Sequence, residues 1–320
     1  MKNENIKPAD NPIDLVYLWV NGKDPEWQKR RTIYSNTKYS DKGRDCDGRY
    51  ADHDELKFSL RSTELYAPWI NKIYIITDNQ IPVWLDISNP KIKIVDHKEI
   101  LPQKAIPSFN SSVIEHFFHK IPGLSERFLY ANDDMFFNRE VKPSDFFRSD
   151  GLPVIRLNRR MFKWLSLFWK EKILKKKMSN YNKVVRNAAN LVKHRYGKFY
   201  LHKAHHNIDA YLKSDFKDTF QTFQKEIEGT LDNHIRNDND IQRSLYSYAA
   251  MAKHKAHVKF VNHKTSFHFH IEKMHYYKKL AKCSPMFFCM NDSEYADENA
   301  RITMAEFLNQ RFPQKSAFEK

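Results

Sequence analysis

The amino-acid sequence predicts an α/β fold in which a mostly parallel sheet is flanked by helices. Strand and helix patterns alternate over the first 150 residues, and the strand patterns are rich in Ile, Val and Tyr. The chain has 320 residues, 41% of them hydrophobic, which is enough to bury a sizeable core. Polar residues follow each strand pattern, at the edge where parallel α/β sheets bind their ligands.

The elements of the first half can be assigned in order. Hydrophobic periodicity predicts strands at 13–20, 72–77, 91–96 and 127–131, with helices at 54–67 and 111–121. The first of these helices begins at Asp54, a residue type favoured as a helix cap. Because the carboxyl ends of parallel strands share one edge, the polar residues that follow the four strands are expected to line one crevice.

The second half is predicted to be mainly helical, with a basic interruption before it. Helical patterns cover 207–227, 239–254 and 300–312, and residues 257–271 alternate like strands. The sequence therefore predicts an α/β core at 1–150, a basic, mainly helical insertion at 151–200, and the remainder of the same domain at 201–320.

The insertion carries most of the net charge of +15. Residues 151–200 contain 14 Lys and Arg side chains and a single acid, Glu171. Residues 159–178 mix these charges with Phe and Trp, a composition typical of a helix in a membrane interface. A solvated helix that packs its aromatic residues into the core fits equally well, whereas no sequence motif supports nucleic-acid binding.

Glycine and cysteine usage excludes several kinds of site. Seven glycines and no G-x-G-x-x-G motif argue against a glycine-rich phosphate loop. Three cysteines without a C-x-x-C pair argue against a disulfide framework and against a cysteine zinc site. The polar N-terminus lacks the apolar core of a signal peptide, so a cytoplasmic protein is expected.

An acidic pair follows the fourth predicted strand. Asn132, Asp133 and Asp134 interrupt an apolar run. Two adjacent carboxylates at a strand end suit Mg²⁺ or Mn²⁺, which prefer oxygen ligands from protein and phosphate. A turn or a helix cap explains the same residues equally well at this point.

A histidine cluster lies near the middle of the chain. His202, His205 and His206 are followed by Asp209. An imidazole titrates near neutral pH and could act as a general base. A transition-metal site has little support because the cluster lacks a cysteine partner and an H-E-x-x-H motif, and a histidine-rich loop is the third interpretation.

Several long motifs resemble one family. They are "IDLVYLWVNGKDPEW" at 13–27, "RYADHDELKFSLRSTELYAPWINKIYIITDNQIPVWL" at 49–85 with its continuation to 147, "HKAHHNIDAYL", "HIRNDNDIQRSLYSY", and "FFCMNDSE" at 287–294. Together they resemble the Stealth family of sugar-1-phosphate transferases, which includes bacterial capsule and exopolysaccharide phosphotransferases. Residues 28–48 and 151–200 match poorly.

The resemblance implies a GT-A/Rossmann-like fold whose 1–150 core binds a nucleotide sugar. It also implies transfer of a sugar 1-phosphate from a UDP-sugar to a hydroxyl of a glycan or lipid-linked oligosaccharide, with release of UMP. The expected location is the cytoplasmic face of a bacterial inner membrane, with residues 159–178 as a peripheral contact. The alternatives are a metal-dependent GT-A glycosyltransferase that releases UDP and a non-catalytic binding protein.

The resemblance further assigns roles to individual residues. Asp133 and Asp134 would hold Mg²⁺ or Mn²⁺, with Asp292 as a further ligand. Of the histidines, His202 is favoured as the base and His205 is second, while a shifted alignment would place His206 there instead. Matching catalytic positions are Arg236 and Asp240, and matching substrate-binding positions are Asp14, Asn21, Gly22, Arg61, Asn79, Asn110, Ser111 and Glu115.

Overall fold

The computed structural model describes residues 11–35, 48, 50–159 and 178–320. Within them ten strands are formed: β1 Ile13–Leu18, β2 Ile73–Thr77, β3 Ile92–Asp96, β4 Arg127–Asn132, β5 Met135–Phe137, β6 Val154–Asn158, β7 Asp209–Leu212, β8 His257–Val261, β9 Ser266–His270 and β10 Phe287–Asn291.

The described helices surround these strands. They are α1 Pro25–Ser35, α2 Glu55–Tyr66, α3 His97–Ile100, α4 Ser111–Ile114, α5 Pro143–Phe146, α6 Asn180–Tyr196, α7 Lys213–Thr222, α8 Gln224–Glu228, α9 Ser244–Ala252, α10 His275–Cys283 and α11 Glu298–Arg311. Two 3-10 helices, Gln103–Ala105 and Glu115–Lys120, precede and follow α4.

The central sheet has five strands in the order β3-β2-β1-β4-β7. The first four are parallel and β7 is antiparallel to β4. This Rossmann-like order places the carboxyl ends of β1, β2, β3 and β4 at one edge. The prediction of a mostly parallel sheet flanked by helices is confirmed.

Side chains of the central strands alternate between two layers of core. Val16 of β1 and Tyr130 of β4 face the layer that contains α6, α7 and α9, while Leu15 and Tyr17 face the layer that contains α2. This alternation is the period of two expected for a strand buried on both faces. The core thus holds the sheet edge rigidly from both sides.

A second sheet adjoins the first at a two-residue turn. Its order is β5-β10-β9, and β5 begins only two residues after β4 ends. Asp133 and Asp134 fill that turn, so the acidic pair joins the two sheets. A third pair, β6 with β8, is parallel and forms its own two-stranded sheet, in which Arg156 of β6 lies over the Phe287 ring of β10.

Three details differ from the sequence-based expectations. Residues 209–212 form β7 rather than the start of a helix, because their backbone pairs with the edge of β4. Asp54 precedes α2 with φ 66° and makes no capping bond with its side chain, which pairs with Lys57 instead. In the second half, β8 and β9 lie within the 257–271 stretch that was expected to alternate like strands, whereas β7 and β10 were not expected.

The basic segment is described only in part. Residues 154–158 form β6, and α6 packs Val185, Ala188 and Val192 into the core. The predicted membrane-contact segment 159–178 lies outside the described residues except at its two ends. Within the described part of the chain, no helix combines the length and the apolar character that crossing a membrane requires.

Candidate active site

A cavity of about 220 Å³ opens at the carboxyl edge of the central sheet. The residues after β1, β2 and β4 line it, together with the end of β10 and the loop that contains Arg236. The crevice predicted from the strand ends is therefore present, and it lies where α/β sheets bind ligands.

Asp133 and Asp134 form the acidic side of the cavity. The backbone N–H of Asp134 donates to Asp133 Oδ1 at 3.0 Å, and Asn291 Nδ2 donates to Asp134 Oδ2 at 2.6 Å. The other oxygen of Asp134, Oδ1, is buried and accepts no hydrogen bond. The turn thus presents one carboxylate oxygen that lacks a protein donor.

Two further carboxylates, Asp52 and Glu55, approach the pair from the start of α2. Burial raises the pKa of Glu55 to about 8 and that of Asp134 to about 6. Burial and the neighbouring carboxylates Asp134, Glu55 and Asp52 hold the pKa of Asp133 well above its ordinary value. Among the described residues, no lysine or arginine forms an ion pair with any of the four.

This acidic group fits a divalent cation. Four clustered carboxylates repel one another when ionised, and a hard cation with oxygen ligands is the partner that relieves that repulsion. The buried Asp134 Oδ1, which accepts no hydrogen bond, is a carboxylate oxygen that could coordinate such a cation. Asp133 and Asp134 are the residues that would hold such an ion.

Asp292 also lines the cavity, but it already has a cationic partner. Arg301 Nε donates to its Oδ2 at 2.9 Å and Arg301 Nη2 to its Oδ1 at 3.4 Å. His53 Nε2 lies 3.8 Å from the same carboxylate. A carboxylate neutralised in this way is a weaker candidate for a metal ligand than Asp133 or Asp134.

Arg236 faces the cavity from a loop that Asp240 holds in place. Arg236 Nη2 donates to Ser111 Oγ at 3.0 Å. Asp240 accepts from Asn237 N at 2.8 Å and from Asn110 Nδ2 at 2.9 Å, and burial raises its pKa to about 6. The structure therefore brings together Asn110, Ser111, Arg236 and Asp240, with the arginine alone presenting a charge to the cavity.

The three histidines of the cluster occupy different places. His206 lines the cavity, with its Nε2 3.3 Å from Asn291 Nδ2, and burial lowers its pKa to about 3. His205 points the opposite way, with Nε2 3.1 Å from Asp209 Oδ1 and Nδ1 3.0 Å from Ser266 Oγ. His202 packs on Phe260, at a ring separation of 4.9 Å, and is not part of the cavity wall.

His205 begins a buried network that runs beneath the cavity. Arg243 Nη2 lies 3.1 Å from Asp209 Oδ2, and Arg243 Nη1 lies 3.5 Å from Glu115 Oε1. Tyr130 Oη donates to Glu115 at 2.9 Å and lies 2.5 Å from Asn132 Oδ1. Glu115 is therefore enclosed in the core, and it meets the cavity only through Tyr130 and Asn132.

Two predicted substrate-binding residues lie away from the cavity. Asp14 is at the amino end of β1, where it accepts from Lys72 N at 3.1 Å and Ser125 N at 2.7 Å. Arg61 pairs with Glu319, with two N–O distances of 2.7 Å. Both residues stabilise connections in the fold at places a cavity ligand does not reach.

Three others border the cavity without facing it. Asn21 exchanges two backbone hydrogen bonds of 3.0 Å with the Gln80 amide, and Asn79 is exposed at φ 55°. Gly22 packs so closely on Tyr50 that an added Cβ would lie 2.2 Å from the Tyr50 carbonyl oxygen. These residues shape the loops that carry the cavity wall.

Profiles of Stealth protein conserved regions 1 and 2 match residues 11–39 and 49–155. The capsular polysaccharide phosphotransferase fcs1 of Haemophilus influenzae is 35% identical over 304 residues, which cover 90% of this chain and 80% of that protein. The chain belongs to the Stealth family. The resemblance found in its motifs is thereby confirmed.

Other Stealth relatives agree in their names. The capsular polysaccharide phosphotransferase LcbA of Aeromonas hydrophila is 31% identical, covering 95% of this chain and 85% of that protein. The exopolysaccharide phosphotransferase cps2G of Lactiplantibacillus plantarum is 50% identical over 141 residues, 44% of this chain and 41% of that protein.

Solved structures give a more distant likeness. A galactosyltransferase, LgtC, in complex with donor and acceptor sugar analogues aligns over 95% of this chain and 96% of that chain, with 10% identity and a TM-score of 0.46. The apo form of the glycosyltransferase GlyE of Streptococcus pneumoniae covers 97% of this chain and 64% of that chain, with 11% identity and a TM-score of 0.40. Likeness at this level supports no conclusion about the Stealth protein.

Sequence reasoning missed several cavity residues of this Stealth protein. Glu55 belongs to a motif that was matched, but its place at the first turn of α2 resembled an ordinary helix start. Asn291 precedes Asp292 at the end of β10, a strand end that no sequence argument placed on this edge. His206 was considered as an alternative, and its signal was the uncertain spacing before Asp209.

Proposed function

We propose that this protein transfers a sugar 1-phosphate from a UDP-sugar to a hydroxyl of a glycan acceptor, forming a phosphodiester and releasing UMP, in capsule or exopolysaccharide synthesis. The observation that carries the proposal is the meeting of an acidic group and Arg236 in one cavity. The names of its Stealth relatives, phosphotransferases of surface polysaccharides, support the same reaction.

Aromatic residues of the cavity suit the nucleotide end of the donor. The Trp27 ring lies 5.1 Å from that of Tyr50 and 5.2 Å from that of Phe109, and all three contribute to the cavity wall. Flat apolar faces of this kind stack on a planar base. The uracil of the donor would therefore bind near Trp27, leaving the diphosphate to extend towards Asp133.

The carboxylates of Asp133 and Asp134 would hold Mg²⁺ or Mn²⁺ beside that diphosphate. A bound divalent cation supplies charge neutralisation of the phosphoryl oxygens and of the leaving phosphate. Asn291 orients Asp134 by its hydrogen bond to Oδ2. Asp292 would act as the partner of Arg301 rather than as a ligand.

Arg236 and His206 would serve the reacting groups. The acceptor oxygen forms a bond to the sugar-bearing phosphorus as the bond from that phosphorus to the UMP oxygen breaks. Charge that develops on the transferring phosphoryl group would be stabilised by Arg236. The proton of the acceptor hydroxyl would pass to a ring nitrogen of His206, the histidine of the cluster that lines the cavity.

The choice of His206 replaces the earlier preference for His202. Only His206 of the three reaches the cavity, while His205 is committed to Asp209 and His202 packs on Phe260. Asp240 would act as a positioning residue that holds the Arg236 loop. Contact of residues 159–178 with the cytoplasmic face of a membrane remains a prediction.

The nucleotide product tests the proposal. The purified protein is incubated with Mg²⁺, UDP-glucose, UDP-galactose or UDP-N-acetylglucosamine, and the glycan fraction of the producing cells, and the nucleotides are separated by ion-exchange chromatography. We expect UMP to accumulate with one donor. Formation of UDP as the sole nucleotide product would instead indicate a glycosyltransferase.

A matched pair of carboxylate variants links the activity to the cavity. Asp134→Asn removes a charge from the acidic group and should lower the rate by about 10²–10³-fold, the usual contribution of one electrostatically stabilising group. Asp86→Asn removes a carboxylate that bonds only Ser88 and should leave the rate within about twofold. Equal rates for the two variants would contradict the proposed site.

A further inference from the structure

Three side chains of unusual composition meet behind the acidic turn. Asp134, His206 and Cys289 come from the turn after β4, the loop before β7 and the middle of β10. Their potential ligand atoms, a carboxylate oxygen, a ring nitrogen and Sγ, all lie within 4.8 Å of one another. The cysteine partner that the sequence did not offer to the histidine cluster is thus supplied by a distant strand.

The composition of this set differs from that of the acidic group beside it. Thiolate and imidazole ligands favour Zn²⁺ and related soft or borderline ions, whereas Mg²⁺ favours oxygen ligands alone. Zinc bonds of about 2.0–2.3 Å place tetrahedral ligand atoms roughly 3.3–3.8 Å apart. The three atoms would therefore need to approach one another by about 1 Å.

The position of Asn291 marks where an ion would lie. Its Nδ2 donates to Asp134 Oδ2 at 2.6 Å and is 3.3 Å from His206 Nε2. A positive N–H₂ edge thus already occupies the space between two of the ligands. Rotation of the amide would present Oδ1 there instead, so the same side chain can serve either state.

Access to the set is open on one side. Asp134 and His206 are partly exposed and line the cavity, while Cys289 is fully buried in β10 behind them. An ion entering from the cavity would meet the carboxylate and the imidazole first. Its fourth position would face the cavity, as in zinc sites with three protein ligands.

We propose that Asp134, His206 and Cys289 bind a thiophilic divalent cation, with Zn²⁺ as the natural candidate. On binding, the Cys289 thiol forms a sulfur–metal bond and loses its proton to solvent. Resting on the proposed function, a second consequence follows: the bound ion takes Asp134 from the Mg²⁺ site and blocks His206 as the base, so it inhibits transfer.

Cobalt absorption tests binding without any donor sugar. Co²⁺ is titrated into the full-length variant Cys46→Ser/Cys283→Ser, in which Cys289 is the sole thiol. We expect a sulfur-to-cobalt charge-transfer band and visible d–d bands of tetrahedral intensity, saturating at one ion per chain and displaced by Zn²⁺. Absence of the charge-transfer band in this variant would overturn the proposal.

Two variants on that background identify the ligands. Cys289→Ser should abolish the band, and His206→Gln should weaken Co²⁺ binding by more than about 100-fold, since loss of even an outer partner of a metal site weakens binding about 10- to 100-fold. Binding of His206→Gln within threefold of its parent would also overturn the proposal. Circular dichroism confirms that each variant is folded, and His206→Gln keeps the test decisive if Cys289→Ser does not fold.

Inhibition is then measured as a separate question. Zn²⁺ should inhibit UMP release in the parent variant and be reversed by a chelator, and the ratio of inhibited to uninhibited rate should rise in Cys289→Ser. A cobalt band without any transferase activity would leave the ion site standing and contradict the proposed function. Activity that Zn²⁺ does not change would contradict the inhibitory consequence alone.

Discussion

Two neighbouring groups of buried charged side chains differ in how their charges are neutralised. In the network beneath the cavity, Arg243 lies between Glu115 and Asp209. Although burial alone would raise the pKa of Asp209, hydrogen bonds and charges from His205 and Arg243 bring it below its ordinary value. In the acidic group above it, burial and mutual repulsion raise the pKa of Asp133.

The presence or absence of a paired cation distinguishes carboxylates that stabilise the fold from carboxylates that could bind a ligand. A buried carboxylate that is paired by the protein is part of the fold, while clustered carboxylates without a cation are unfavourable until something else supplies one. The first group is complete in the chain itself. In the second, no described lysine or arginine pairs with the carboxylates, and under the proposed function a bound divalent cation would balance them.

Adjacent histidines give the sharpest test of this contrast. His206→Gln should lower kcat by about 10²–10⁴-fold, the usual contribution of a general base, with little change in Tm. His205→Gln should lower the free energy of unfolding by about 1–3 kcal/mol, because Asp209 and Ser266 lose a buried partner. Transfer rates and thermal unfolding of the two variants are compared.

The contrast would fail if the two effects were exchanged. His202→Gln serves as the control, because it changes a third histidine of the same cluster outside the cavity wall, and it should alter kcat by less than about tenfold. A kcat loss in His202→Gln equal to that in His206→Gln would restore His202 as the base.

Removal of the cation in the network should destabilise the fold. Arg243→Met leaves Glu115 and Asp209 as uncompensated buried charges and should lower the free energy of unfolding by about 3–5 kcal/mol. Urea denaturation measures this loss. The exposed Arg148, whose Nη1 lies 3.5 Å from Ser144 O, provides the control Arg148→Met, and equal losses in the two variants would contradict a structural role for the network.

The acidic group should make metal-free stability fall as pH rises. Glu55 has an ordinary pKa of 4.5 that burial raises to about 8. The folded chain therefore holds a proton that the unfolded chain has released, and stability is lost as pH rises towards the folded pKa. Between pH 7.5 and 8.5 we expect a loss of about 0.7 kcal/mol in the presence of a chelator.

This pH window avoids the buried histidines. Burial lowers the pKa of His116 to about 3 and that of His119 to about 4, and a histidine of the unfolded chain titrates near 6.5, so above pH 7.5 both are largely neutral whether the chain is folded or not. Thermal unfolding with chelator, with Mg²⁺, and in Glu55→Gln measures the effect. Mg²⁺ and Glu55→Gln should each flatten the pH dependence, and an unchanged slope in Glu55→Gln would exclude this carboxyl as its source.

The sequence was sufficient for the sheet and for Asp133 and Asp134, because strand periodicity and polar strand ends are local signals. The place of Asp14 at the start of the strand pattern indicated the amino edge of β1, but the motif match assigned the residue to substrate binding. Arg61 was drawn from a matched motif, but its partner Glu319 is far along the chain. Motif membership marks constrained residues without separating those that bind from those that hold the fold.

The directions of individual side chains could not be predicted from the sequence either. His205 and His206 are neighbours in the chain, yet His205 contacts Asp209 in the core while His206 lines the cavity. Cys289 and His206 approach only because β10 pairs with β5, directly after the acidic turn. Contacts of this kind depend on tertiary pairing, which no local pattern records.

The turn of Asp133 and Asp134 has a mechanical meaning as well as a chemical one. It connects the five-stranded sheet to the three-stranded sheet, with β4 on one side and β5 on the other. An ion bound by those two residues would therefore stabilise both sheets where they meet. Binding of the donor with its ion would then also make this turn more rigid. The enzyme without them should be more mobile at the turn of Asp133 and Asp134, where the reaction would occur.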